Sequence, residues 1–404
     1  MKIKVVDAMM GSGKTKAAIN KMKQDDGNNY VFVTPYLKEI ERIKHECDGC
    51  KKFYDPFNTG NGKLSNLHKL LTEGKNVATT HALFKQWDTI TLELLQAGDY
   101  ILILDEVVDL VDKINLTPKD IAMITENFTE QQNEYLLWKE DCRDYDGRFS
   151  DIMNMSKNRS IISKDETYLF WVLSPKIFTA FKEVYVLTYM FRGQLQKYYF
   201  DWHNLKYEFY IPNNEMTDYV LNEGSSDNLE YKQKIKSLVS LVDNDKINNI
   251  GEKEFSLSKG WFEKQNNKEL VEKLKNNLVN FFINRTKSKS AQNMWTTYKS
   301  ERSKLTGNGY SRGFVSCNAR ATNMYQEKDC AAYVLNVFMN PIIKNFFIER
   351  GIDVDEEVYA LSDLVQWVWR SGIRNEKPIK LYIPSARMRN LFKQWLDTED
   401  IIET

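Results

Sequence analysis

Val5-Val6-Asp7-Ala8-Met9-Met10-Gly11-Ser12-Gly13-Lys14-Thr15 joins an apolar run to a small-residue loop that ends in a Lys-Thr pair. Ile3 to Asp7 reads as a strand and Lys14 to Lys23 as a helix, so the loop opens a helix N-terminus. The spacing is that of a phosphate-binding loop, with Ala8 where the first glycine usually stands. Small residues let consecutive backbone N–H groups wrap phosphates, and the helix end adds its positive dipole. Gly11, Ser12 and Gly13 would line that cradle. Lys14 would reach the β- and γ-phosphates, and the Thr15 hydroxyl would ligate Mg²⁺. An ordinary Gly/Ser turn before a helix could give a similar string, and an acid downstream decides between the two.

That acid is present. Ile101-Leu102-Ile103-Leu104-Asp105-Glu106 is a fully apolar strand ending in two carboxylates. Asp105 can hold Mg²⁺, directly or through water. Glu106 faces the other way and can polarise the water that attacks a γ-phosphate. A binding switch needs the first acid and rarely the second, so the pair points to hydrolysis.

The rest of the chain bounds this reading. It has 404 residues, with 56 Lys plus Arg against 56 Asp plus Glu. A net charge of zero excludes binding to nucleic acid by bulk positive charge, so any such site must be a local patch. At roughly 150 residues per domain the length suggests two or three domains. The N-terminal apolar run is too short for a signal peptide, and no stretch approaches the ~18 apolar residues of a membrane helix. A soluble, cytoplasmic protein without a membrane partner is expected. Five cysteines make no disulfide framework, and the Cys47/Cys50 pair lacks the second pair a structural zinc needs.

Short β-rich runs alternate with helical stretches over the first ~110 residues, which predicts a parallel sheet covered by helices. From about 115 to 165 the pattern turns charged and reads as a helical insertion. Strands return at Glu183 to Thr188 and Lys206 to Ile211. Helix (Lys268 to Asn284), strand (Gly313 to Cys317), helix and strand (Ile379 to Ile383) suggest a second α/β unit. The expected division is 1–205, carrying the insertion, and 206–404.

The order of these blocks resembles superfamily 2 DEAD/DEAH-like helicases, and within them the small DNA helicases of bacteriophages. Val31-Phe32-Val33-Thr34-Pro35-Tyr36 is similar to the strand-end motif that touches the nucleic-acid backbone. Ala78-Thr79-Thr80-His81-Ala82-Leu83-Phe84 is similar to a later element of the same domain, and Val186-Leu187-Thr188-Tyr189-Met190 to the coupling motif. Gln366-Trp367-Val368-Trp369-Arg370-Ser371-Gly372-Ile373-Arg374 resembles the Gln…Arg…Arg finger motif. Asn318 to Asn323 and Tyr382 to Arg389 look like the phage subgroup.

The resemblance implies two RecA-like P-loop domains with parallel sheets, facing each other across a nucleotide cleft and using ATP and Mg²⁺. It implies that Gln366 contacts the nucleotide, that Thr188 couples cleft closure to strand binding, and that Thr34, Thr80, His81, Thr322 and Asn323 touch phosphates. The family spaces the Gln and its last arginine by seven, whereas Arg374 lies eight beyond Gln366. Either Arg370 or Arg374 can then be the finger, with Arg370 preferred. The first strand starts at once, so no upstream adenine-reading Gln motif is expected, and the preference for ATP comes from the resemblance alone.

Between Arg285 and Arg312 seven positive residues, Lys299, Arg302 and Lys304 among them, stand against Glu301 alone. Trp295, Tyr298 and Tyr310 are interleaved, a pattern that suits a strand-tracking patch as well as a solvated helix and loop. The expected partner is DNA, single- or double-stranded, with RNA possible, in phage replication or recombination alongside other phage replication proteins. The rival readings are an RNA helicase, a terminase-like packaging motor and a P-loop switch that binds ATP without moving.

Overall fold

The computed structural model describes residues 2–60, 62–164, 167–222, 229–243, 245–317 and 324–398. Its contacts divide the chain into two units. The first comprises Met1–Ala8, Gly13–Asn222 and Asn340–Val354; the second comprises Met9–Ser12, Glu223–Met339 and Asp355–Thr404.

The first unit is built on β1 (Ile3–Asp7), β2 (Tyr30–Thr34), β3 (Phe53–Tyr54), β4 (Asn76–Thr80) and β5 (Ile101–Asp105). After an inserted sheet, β6 (Val111–Lys113), β7 (Thr129–Gln132), β8 (Tyr135–Trp138), β9 (Ile161–Lys164) and β10 (Tyr168–Val172), it resumes with β11 (Glu183–Thr188), β12 (Tyr207–Pro212) and β13 (Tyr219–Leu221). The main sheet runs β13-β12-β1-β11-β5-β2-β4-β3, parallel throughout except for β13. Its central strands are covered on both faces, which is why Ile101 to Leu104 could be apolar without alternation.

Parallel pairing brings the C-termini of every strand but β13 to one edge. The register sets Asp7 opposite Thr188, Leu187 opposite Asp105, and Thr34 opposite Thr80. Residues far apart in sequence therefore stand on neighbouring strands.

The second unit has a parallel sheet of β14 (Val239–Leu241), β15 (Asn293–Thr296), β16 (Cys330–Tyr333) and β17 (Ile379–Tyr382), in the order β14-β17-β16-β15. Leu274, Leu278, Phe281, Trp295, Tyr310 and Tyr382 lie in its core.

The mixed α/β class with parallel sheets is as expected, and four details differ. The segment near 115–165 is not a helical insertion. Its strands form an antiparallel sheet, β6-β10-β9-β8-β7, around Ile124, Leu136, Trp138, Phe149 and Ile161. Residues 207–221, placed beyond the boundary at 205, instead extend the first sheet, because β12 pairs along β1. Residues 313–317 form no strand; only Phe314 bridges to Trp295. The segment Asn340–Val354 also belongs with the first unit, where Phe346 packs 4.6 Å from Phe170 between ring centroids.

Candidate nucleotide-binding site

The glycine-rich loop leaves β1 and enters α1 (Lys14–Gln24) through Gly13, whose φ of 83° is in the left-handed region that glycine adopts at little cost. No side chain caps this helix and no acid sits in its first turn. The electrostatics of such a helix start favour an anion. The Ser12 hydroxyl is buried without a hydrogen-bond partner. Lys14 folds back so that its ammonium donates to the Ala8 carbonyl. Burial lowers its pKa, while Glu106, Asp7 and Asp105 act in the opposite direction.

The end of β5 faces this helix start. Thr15 Oγ1 donates to Asp105 Oδ1 at 3.0 Å, and Thr34 Oγ1 lies 3.4 Å from Asp105 Oδ2. Burial, then Glu106 and Glu39, push the Asp105 carboxyl up to about 7, against the Thr15 hydrogen bond and Lys14. A carboxylate so placed gains strongly from a cation brought next to it. An uncapped helix end, an orphaned Ser12 hydroxyl and a hydroxyl–carboxylate pair form a donor set that fits phosphates with a divalent ion.

Glu106 follows with φ of 70°, uncommon for a residue with a side chain, and its N–H donates to the Leu187 carbonyl at 2.9 Å. Its charge acts on both Asp105 and Lys14. Backbone strain of order 1–2 kcal/mol at such a position is a common mark of functional sites.

The remaining residues of the edge are joined through β11 and the segment after β4. Asp7 accepts from the N–H groups of Met190 and Phe191 at 2.9 and 3.0 Å, and Ala8 N–H donates to the Thr188 carbonyl at 3.1 Å. Thr188 Oγ1 is buried without a partner. His81 Nε2 lies 3.2 Å from the Asp105 carbonyl, and Thr80 caps the short helix that His81 opens. Thr15, Thr34, Thr80, His81, Asp105, Glu106 and Thr188 therefore share one edge of one sheet.

In the second unit, Gln366 lies on the helix Glu356–Val368 and is half-buried. Arg370 is buried, with Nη1 3.5 Å from the Cys317 carbonyl, whereas Arg374 is exposed in a short 3-10 turn. Lys299, Arg302 and Lys304 are exposed, with Lys304 paired to Glu301 at 2.6 Å and Arg302 4.6 Å over the Phe314 ring. The aromatic residues between them are not a stacking platform. Trp295 and Tyr310 are fully buried, with Trp295 Nε1 donating to the Tyr310 carbonyl at 3.0 Å. Tyr298 donates to the Asn336 carbonyl at 2.7 Å. Arg387 bonds Glu357 and Val337, and Arg389 bonds Ile383 and Glu252, so both brace the last helix. Thr322 and Asn323, with the rest of 318–323, lie outside the described residues.

The chain superposes on solved structures of S. tokodaii Xpd4 and of XPD in its apo form, each with a TM-score of 0.50 and 12% identity. The first match covers 98% of this chain and 94% of Xpd4, the second 97% and 95%. These are two-domain helicases, and at this identity it is the fold that is shared. Residues 111–171 match the YonV middle domain and residues 233–396 the YonV C-terminal Rossmann-like domain. The SPbeta prophage-derived uncharacterized protein YonV of Bacillus subtilis (strain 168) is 40% identical over 411 residues, covering 98% of this chain and 99% of that protein. The chain belongs to the YonV family. Its inserted antiparallel sheet, Val111 to Val172, coincides with that family's middle domain.

Proposed function

We propose that this chain is an ATP-dependent nucleic-acid motor, a helicase or translocase, that works on DNA in phage replication or recombination. The observation that carries the reading is the union at one sheet edge of the α1 N-terminus, the Thr15–Asp105 hydrogen bond and the Glu106 carboxylate. The helicase fold and the prophage origin of the YonV relative support it.

In this reading the N–H groups of Gly11, Ser12 and Gly13 and the Lys14 ammonium hold the β- and γ-phosphates. Thr15 and Asp105 hold Mg²⁺, which when bound neutralises charge on the phosphate oxygens. Glu106 orients the attacking water and takes its proton. Arg370 or Arg374, with Gln366 near the nucleotide, supplies positive charge where the transferring phosphoryl group spreads its negative charge. Thr188 links this edge to Thr34, Thr80 and His81. These residues, with Lys299, Arg302, Lys304, Thr322 and Asn323, are assigned to the nucleic-acid backbone, contacts that fix position and carry no sequence preference.

The test is steady-state ATP hydrolysis with and without single-stranded DNA, double-stranded DNA and RNA, with Glu106→Gln as the blank. Many-fold stimulation by DNA is expected. Stimulation by RNA alone would move the protein to the RNA helicases, and hydrolysis indifferent to all three would end the motor reading. Full activity in Lys14→Ala would remove the site itself.

A further inference from the structure

The hairpin of β12 and β13 does more than extend the sheet. Its turn is fixed internally: Asn213 Oδ1 accepts from the N–H groups of Thr217 (2.8 Å) and Asp218 (3.2 Å), and Asn213 Nδ2 donates to Thr217 Oγ1 (3.1 Å). The same turn is clamped along α1. Asn20 Nδ2 donates to the Met216 carbonyl at 2.8 Å, Lys21 pairs with Asp218 at 2.9 Å, and Tyr219 Oη donates to the Lys14 carbonyl at 2.9 Å.

Met216 sits at the tip with φ of 53°. A long side chain rarely holds such a conformation unless its surroundings impose it, and such residues gather at ligand clamps. Its thioether lies over Gly13: a Cβ placed on that glycine would come within 2.6 Å of Met216 Sδ. The residue that starts the phosphate-binding helix and the residue at the hairpin tip thus fill one another's space.

We propose that the 213–218 turn, through Met216, is the wall against which the nucleoside of the bound triphosphate lies. The inference rests on the nucleotide reading given above and adds the part of the ligand that the loop itself does not hold. Loop and helix N–H groups cradle phosphates, so sugar and base leave across the first turn of α1, beside Gly13 and Lys14. The turn clamped there offers a polarizable, adaptable thioether that packs well on a ring face. The Asn213 amide and the Asp218 carboxylate are already engaged within the turn and with Lys21. The wall therefore contacts the face of a base without reading its edge, and adenine and guanine nucleotides are held alike.

The experiment is calorimetric titration of the full-length protein with Mg-ATP, Mg-GTP and inorganic tripolyphosphate, comparing wild type with Met216→Ala and Met216→Leu. Met216→Ala is expected to weaken ATP and GTP alike by about three- to tenfold while leaving tripolyphosphate unchanged. Met216→Leu, which keeps bulk and apolarity, should recover most of the loss. Equal weakening of ATP and tripolyphosphate would mean that Met216 only props the loop, and no change in either would mean that the nucleoside lies elsewhere; both overturn the proposal. So would wild-type discrimination between ATP and GTP beyond tenfold. Failure of the underlying reading looks different: wild type would bind neither ATP nor tripolyphosphate, or Lys14→Ala would bind both as well as wild type does.

Discussion

Thr15 Oγ1 and Asp105 Oδ1, ninety positions apart, meet in a 3.0 Å hydrogen bond where the glycine-rich loop enters its helix. Asp105 is 7% exposed, and its carboxyl is hard to ionise there without a cation. Asparagine has the same shape and can still accept from Thr15. Asp105→Asn should therefore fold with an unchanged or higher melting temperature and lose Mg-dependent hydrolysis by about a hundredfold or more. Parallel thermal melts and ATPase assays check both halves. A variant that melts early would show the ionised carboxylate to be structural.

Glu106 makes a separable prediction because its backbone and its carboxylate do different things. Removing a general base costs roughly 10²–10⁴-fold in rate. Glu106→Gln and Glu106→Gly should both lose hydrolysis to this extent while still binding ATP. The glycine variant should be at least as stable as the glutamine variant, since glycine adopts a φ of 70° without strain. Denaturant titration orders the two, and single-turnover assays separate binding from chemistry.

The two arginines differ in a way that assigns them distinct tests. Arg370 is buried at the end of its helix and Arg374 is exposed. If Arg370 is the finger, Arg370→Lys keeps a positive charge but loses the planar fork, and hydrolysis should drop about 10²–10³-fold with ATP affinity retained. Arg374→Ala should then cost less than tenfold. The reverse order in measured kcat would hand the role to Arg374.

The contrast between what was legible and what was not has a physical cause. β5 is buried on both faces, so its sequence is a continuous apolar run that stops at Asp105, and the strand was readable from it. The inserted sheet hid because β7, Thr-Glu-Gln-Gln, is exposed at three of its four positions and carries no apolar alternation. Trp295 misled for the opposite reason. An aromatic near lysines suggests base stacking, yet Trp295 lies in a strand buried along its whole length, with its ring in the core, while Lys299, Arg302 and Lys304 further on face solvent. No local signal marks Met216, because its meaning comes from the return of the hairpin to Gly13, a tertiary event.

His203 caps the helix Leu195–Trp202, with its ring 4.5 Å from Tyr199 and 4.0 Å from Trp202, and its Nε2 is buried without a hydrogen-bond partner. Burial, and secondly the Arg350 guanidinium, lower its pKa to about 4. Arg350 itself lies over the Trp202 and Phe346 rings and pairs with Glu134 at 2.8 Å, so the segment Asn340–Val354 is held against this histidine. The unfolded chain takes up the proton near 6.5, the folded one only near 4. Between those values the unfolded state binds more protons, so stability is complete above about 6.5 and falls as pH drops toward 4. The loss should be of order 2 kcal/mol. Urea titrations at pH 7.5 and 5.0 should show it in wild type and a smaller drop in His203→Phe, which cannot titrate. An identical fall in the two proteins would place the pH-sensitive group elsewhere in the first unit.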